Sequence, residues 1–160
     1  MSQNRIKSMS FIHESLYQTN DFSKINFSEY INGLSKNLVH SYGIYDGLIE
    51  LNFNTEEVTL NLDLSIPCGL IVNELLSNSL KYAFPDGKIG KINIELFIKD
   101  EKVCLIIKDN GVGLPKEVNY RDTETLGLQL VSSLVEQING TIELKKDKGT
   151  SYTITFKQHQ

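Results

Sequence analysis

Over residues 6–17 the apolar side chains Ile6, Met9, Ile12, Leu16 and Tyr17 recur at helical spacing, with Phe11 widening the stripe, which predicts an amphipathic helix. Thr19-Asn20-Asp21 interrupts it, and a second helix is predicted from about Phe27-Ser28, carrying Tyr30, Ile31, Leu34, Leu38 and Val39 up to a stop at Gly43. Residues 48–53 and 58–62 alternate apolar with polar, as half-buried strands do, and the turn residues Asn54-Thr55-Glu56 between them predict a hairpin. Ser65-Ile66-Pro67 then predicts a helix start, with serine as cap and proline in the first turn, where its missing N–H costs little. That helix is expected to reach Ala83, where Phe84-Pro85-Asp86-Gly87 stops it. Residues 92–98 alternate and residues 103–107 are almost continuously apolar, predicting a second strand pair with Asp109 at its exit. Residues 112–125 mix glycine, proline and charge without periodicity, the pattern of a mobile loop; loops of that length are usually functional. A helix over residues 126–138 ends at Asn139-Gly140, and residues 141–144 and 152–156 form a closing hairpin.

Composition narrows the classes open to such a chain. Its 160 residues fit one domain with a sizeable core. The formal net charge is -4 and no Lys/Arg block stands out, so neither nucleic acid nor a membrane surface is an expected partner. Cys68 and Cys104 lie inside apolar patterns without metal-ligand spacing and are expected to be reduced thiols. No apolar run approaches the roughly 20 residues of a membrane span, and the first ten residues hold no secretory core. The expected location is cytoplasmic, with a longer parent free to carry a membrane anchor.

Two polar clusters about thirty residues apart change the picture from a generic domain to a candidate site. The first is Asn73-Glu74-Leu75-Leu76-Ser77-Asn78-Ser79-Leu80-Lys81-Tyr82, set in an apolar helix pattern. Asn73, Ser77 and Lys81 fall at successive i, i+4 positions with Glu74 and Asn78 in a parallel row, so all five share one strip. A solvated face would explain such a strip, but asparagine is a poor interior helix residue, and two of them point to a partner outside the helix. The second cluster is Asp109-Asn110-Gly111-Val112-Gly113-Leu114-Pro115. Asn-Gly by itself serves a hairpin turn, yet proline and the loss of alternation take the chain out of the sheet here. A carboxylate at that exit can accept a hydrogen from the exocyclic amine of adenine, a bond that guanine's oxygen cannot supply. Together the clusters offer an acid, amide oxygens, a lysine and a glycine loop able to approach phosphates, which is what a magnesium nucleotide requires. Gly127 opens a helix whose N-terminus favours phosphate, and Lys148-Gly149-Thr150 reads alone as a hairpin turn.

The ordered set resembles the ATP-binding domain shared by sensor histidine kinases, gyrase-type ATPases, Hsp90-type chaperones and mismatch-repair ATPases, the Bergerat or GHKL fold. Residues 73–82 look like its N box, residues 109–113 its G1 box, Thr125-Leu126-Gly127-Leu128 a shortened G2 box, and Gly149-Thr150 its final glycine-threonine. Within that superfamily the chain looks most like sensor histidine kinases of the second dimerisation-domain type. Ile12-His13-Glu14-Ser15-Leu16-Tyr17 with Phe27-Ser28-Glu29-Tyr30-Ile31 resembles the end of their dimerisation unit, and Ile66-Pro67-Cys68-Gly69-Leu70-Ile71-Val72-Asn73-Glu74-Leu75 matches the same subgroup.

The resemblance implies an α/β (α+β) fold, a two-layer sandwich of a mixed sheet with helices on one face, preceded by a helical leader. It divides the chain into residues 1–43, the end of the dimerisation helix with its linking helix, and residues 44–160, the ATP-binding domain. It also implies ATP and Mg2+ as cofactors, with Asn78 ligating the metal and Glu74 the catalytic acid/base residue. Lys81 and Tyr82 would approach the phosphates, Asp109 would read adenine, and Gly111 and Gly113 would shape the lid hinge. Leu126, Gly127 and Leu128 would line the phosphate end, and Thr150 would support the Asp109 network. The implied partners are a phosphoacceptor helix of the parent, a second copy in a homodimer, and a response-regulator receiver domain. The subgroup's acceptor histidine lies upstream of the segments matched, so His13 is expected to be a packing or interface residue, and His40 and His159 have weaker claims. An ATP hydrolase or a serine kinase of the anti-sigma-factor kind would keep the same motifs, as would a nucleotide-binding regulator without turnover.

Overall fold

The alternating segments form a five-stranded sheet, and the helical segments cover one of its faces. A computed structural model describes residues 10, 14, 24–41, 48–83, 89–111, 126–146 and 148–159. The elements are β1 (Ile25–Asn26), α1 (Phe27–Ser41), β2 (Ile49–Thr55), β3 (Thr59–Leu60), α2 (Leu62–Asn78) continued by a π-helical turn (Ser79–Ala83), β4 (Gly90–Lys99), β5 (Lys102–Asp109), α3 (Leu126–Gln137), β6 (Thr141–Lys146) and β7 (Thr150–Lys157). The strand order is β2-β4-β5-β7-β6, with β2 parallel to β4 and every other neighbouring pair antiparallel. The expected mixed sheet with helices is therefore present. Ser10 and Glu14 are helical; the rest of the predicted helix over residues 6–17, the stop at residues 84–87 and the loop at residues 112–125 lie outside the described residues.

Two expectations need correction. The strands on either side of Asn54-Thr55-Glu56 do not pair with each other. β2 pairs with β4, and the short β3 pairs antiparallel with β1 in a separate two-stranded ribbon. The Ser28 side chain diverts the chain: its hydroxyl donates to the Glu56 carbonyl and accepts from Val58 N–H, while Phe27 N–H donates to the Val58 carbonyl. The backbone groups a hairpin would use are thus taken by the start of α1. The second correction moves the start of α2 from Ser65 to Leu62. Asn61 is its N-cap, with an extended backbone and a side chain accepting from Leu64 N–H at 3.0 Å. Pro67 consequently sits inside the helix.

One continuous core joins the layers. Ile92, Ile94 and Leu96 of β4, Val103, Leu105 and Ile107 of β5, and Tyr152, Ile154 and Phe156 of β7 are buried on the helix-covered face. Ile71, Val72, Leu75 and Leu76 of α2 and Phe27, Ile31 and Leu34 of α1 belong to the same core. The α1 contact has a specific shape. Tyr30, stacked on Phe27 with ring centroids 5.7 Å apart, occupies the notch left by Gly69, where a Cβ would lie 2.4 Å from its hydroxyl oxygen. Any side chain there would collide with the ring. Cys68 is buried beside it, and Cys104 is half-buried on β5; both are free thiols. No helix among the described residues is long and apolar enough to cross a membrane.

Candidate functional site

The polar strip of α2 does not face water. Asn73, Glu74, Ser77 and Asn78 are all buried, against the solvated-face alternative, and only Lys81 is exposed. The reason Lys81 departs from the strip is the π-helical turn: hydrogen bonding from i to i+5 widens the turn and shifts the phase of the residues that follow. Ser79 begins that turn. Its side chain faces β5 and donates to Asp109 Oδ2 at 2.9 Å, a buried bond between groups thirty residues apart.

Asp109 is the centre of the arrangement. It ends β5, is 2% exposed, and its Oδ1 accepts from Gly111 N–H at 3.0 Å and Thr150 N–H at 3.2 Å. A carboxylate offers about four acceptor positions, so three donors among the described residues leave one on Oδ2. Neighbouring backbone is brought equally close. Gly149 has φ +121°, and a Cβ on it would lie 2.0 Å from the Asp109 carbonyl oxygen, so only glycine lets the β6–β7 turn reach this corner. Asn110 ties the exit of β5 to the start of β4: its N–H donates to the Lys91 carbonyl at 3.2 Å, and its Oδ1 accepts from Lys91 N–H at 2.8 Å. That pairing continues the ladder and holds the carboxylate at the sheet's end.

Tyr152 lies behind these groups on the strand. It lies two residues beyond Thr150 on the same buried face of β7, opposite Ile107 of β5, and is 1% exposed. Burial pushes its phenol up to about 12; the Asn78 amide pulls the other way and the Asp109 carboxylate adds to the rise. Both the Tyr152 hydroxyl and Asn78 Nδ2 are buried, and neither meets good hydrogen-bond geometry with any described residue, although the Asn78 amide lies close enough to act on the phenol.

The structure thus brings Asp109, Gly111, Gly149 and Thr150 together with Ser79, Asn78 and Tyr152, and buries Glu74, Gly127 and Leu128. Gly113 and the side chains of Tyr82 and Leu126 lie outside the described residues, as does His13; His40 and His159 are exposed. Ser79 and Tyr152 were not singled out from the sequence. Ser79 is hidden inside the N-box pattern as one more polar position. Tyr152 had a readable signal, a hydroxyl at an inward-facing position of an alternating strand, where a buried phenol needs a partner.

The donor set suits a nucleotide. On a buried carboxylate, a single acceptor position that no described residue takes fits the hydrogen of an amine. Among the described residues no group of three or more His, Cys, Asp or Glu could cage a metal. Magnesium needs no such cage when phosphates supply much of its shell, and one amide oxygen from the protein is a fitting ligand.

Sequence comparison agrees with this geometry. Residues 64–160, more than half of the chain, match the family described as histidine kinase-, DNA gyrase B-, and HSP90-like ATPase, and residues 1–42 match a second family described as histidine kinase. The chain belongs to this ATPase family. Its relatives include the sensor histidine kinase PdtaS of Mycobacterium tuberculosis, 24% identical over 96% of this chain and 31% of that protein. Another is blue-light-activated histidine kinase 2 of Erythrobacter litoralis, 28% identical over 68% of this chain and 31% of the relative. The chain therefore spans about a third of the length of these relatives. The histidine kinase domain of the Erythrobacter litoralis EL346 blue-light activated histidine kinase has the same fold, with a TM-score of 0.86 at 21% identity over 98% of this chain and 74% of that one. A mycobacterial sensor histidine kinase, MprB, superposes with a TM-score of 0.66 at 20% identity, over 84% and 97% of the two chains.

Proposed function

We propose that this chain is the ATP-binding part of a sensor histidine kinase, holding Mg-ATP so that its γ-phosphoryl group passes to a histidine on a dimerisation helix. The observation that carries the reading is Asp109, a buried carboxylate on which three donors among the described residues leave one acceptor position for an exocyclic amine. Adenine offers a hydrogen there; guanine offers an oxygen, which a carboxylate repels. Asn78, Glu74 and Lys81 follow along α2 and its π turn toward the phosphate end, Asn78 as the magnesium ligand and Glu74 as the acid/base residue. Tyr82, Gly111, Gly113, Leu126, Gly127 and Leu128 are assigned to phosphates and lid. Magnesium would supply charge neutralisation between the phosphates; the protein's own share is positioning, since phosphoryl transfer asks little covalent chemistry of it. Residues 1–43 would be the end of the dimerisation unit with its linking helix, residues 44–160 the nucleotide domain, and the final acceptor a response-regulator receiver domain.

Asp109→Asn tests this directly. An amide can turn its oxygen to the Gly111 and Thr150 N–H groups and its nitrogen to the Ser79 hydroxyl, so the fold should survive. The remaining acceptor position is lost, and ATP should bind weaker by about 1.5–3 kcal/mol in a calorimetric titration. Unchanged affinity in a folded Asp109→Asn protein would remove the assignment.

A further inference from the structure

Two buried polar atoms that no described residue satisfies, the Tyr152 hydroxyl and Asn78 Nδ2, are drawn to one corner by Asp109, which bonds Ser79 next to Asn78 and the Thr150 N–H two residues before Tyr152 on the same buried strand face. Such atoms are rare in folded proteins, because each forfeits its bonds to water. Their surroundings say how they would be satisfied. A phenol can donate one hydrogen and accept others, and the negative charge of Asp109, close enough to act on Tyr152, favours the orientation that turns the hydrogen toward it. The phenol's lone pairs then face away from Asp109, where an N–H is favoured and a carbonyl oxygen is repelled. An asparagine amide has one end of each kind, and nothing in its shape selects between them.

We propose that Tyr152 is a positioning residue for Asn78: its phenol oxygen selects the Nδ2 end of the amide and so turns Oδ1 outward, the only end able to hold a cation. This rests on the reading of Asn78 as a magnesium ligand and goes beyond it, because it assigns the amide's orientation to a strand residue that touches neither metal nor nucleotide. The same hydroxyl couples the two ends of the site, with Asp109 setting the direction of the phenol and the phenol setting the direction of Asn78.

Tyr152→Phe removes the oxygen and keeps the ring that fills the core, so the variant should melt no lower than the parent. ADP affinity is measured by calorimetry with magnesium and with a chelator. The affinity gain due to magnesium should fall about tenfold in Tyr152→Phe, the usual loss when a group supporting a metal ligand is removed, while chelated affinity stays the same. In the nucleotide-free protein, the Asn78 side-chain amide hydrogens should exchange with solvent faster in the variant, a readout independent of metal. A parent protein whose ADP affinity ignores magnesium would overturn both the reading of Asn78 and this inference. A full magnesium gain retained in Tyr152→Phe, with unchanged Asn78 exchange, would overturn the inference alone.

Discussion

Both halves of α2 are buried, but they meet different neighbours. In the first half Leu64, Cys68, Ile71 and Val72 join the apolar core, and Gly69 leaves a notch filled by Tyr30 of α1. In the second half Asn73, Glu74, Ser77 and Asn78, with Ser79 just beyond, are buried alongside Leu75 and Leu76; Ser79 bonds Asp109 and the Asn78 amide acts on Tyr152. The first half is close-packed and its polar groups are few. The second keeps hydrogen-bonding capacity out of water, including Asn78 Nδ2, which no described residue satisfies. Burial among apolar side chains and burial of a polar cluster thus occupy successive stretches of one helix.

The comparison makes its largest prediction for stability. Ile71→Ala, at a fully buried position of the first half, should cost about 2–5 kcal/mol in denaturant unfolding, through lost transfer energy and the cavity left behind. Asn78→Ala in the second half should cost about 1 kcal/mol or less, since it removes a buried amide NH2 that no described residue satisfies and gains about 0.7 kcal/mol of helix propensity. Equal losses at the two positions would break the distinction between the halves.

A smaller effect appears at alkaline pH. Each half packs near a buried tyrosine held neutral, Tyr30 of α1 by burial with Cys68 adding to the rise, and Tyr152 of β7 with its phenol raised from 10.0 to about 12. Between those values the unfolded chain has released its phenolic proton while the folded chain keeps it, so the folded state binds more protons and stability falls as pH rises. For Tyr152 this amounts to about 1.4 kcal/mol by pH 11. Tyr152→Phe should therefore match the parent's stability loss below pH 10 and lose about that much less at pH 11. Parallel curves for the two proteins across this range would show that Tyr152 titrates normally in the fold.

Much of the architecture could be read from the chain because one face of the sheet is buried. Alternation marks β4, β6 and β7, the apolar run marks β5, and the 3.6-residue stripe marks α1 and α3. Alternation says that a strand has a buried face without naming its neighbour, which is why β2 was expected beside β3 when its partner, β4, is the next long strand in the chain. The start of α2 was misread for a related reason: Leu60, Leu62 and Leu64 fit a strand's alternation as well as a helix's first turn, and Asn61 caps as readily as Ser65. In the site, the order of motifs was legible, whereas the bonds that give them shape were not. The Ser79–Asp109 bond joins residues thirty apart and depends on a π turn that leaves no periodic trace. Gly149 was visible as a turn glycine, but its closeness to the Asp109 carbonyl belongs to the assembled sheet.

The smallest effect separates Ser79 from Asp109. Ser79→Ala removes one donor to the carboxylate, and the bond's worth of about 1.5 kcal/mol is partly offset by alanine's better helix propensity, leaving a net loss of about 1 kcal/mol in unfolding. Gly111 and Thr150 still hold Oδ1, so the carboxylate should keep its place and gain a second open position on Oδ2. ATP affinity should then change far less than in Asp109→Asn, because the acceptor for the amine remains. Titration of the two variants side by side decides the matter. If Ser79→Ala weakens ATP as much as Asp109→Asn does, the serine hydroxyl itself contacts the nucleotide and is a ligand group, not a support for Asp109.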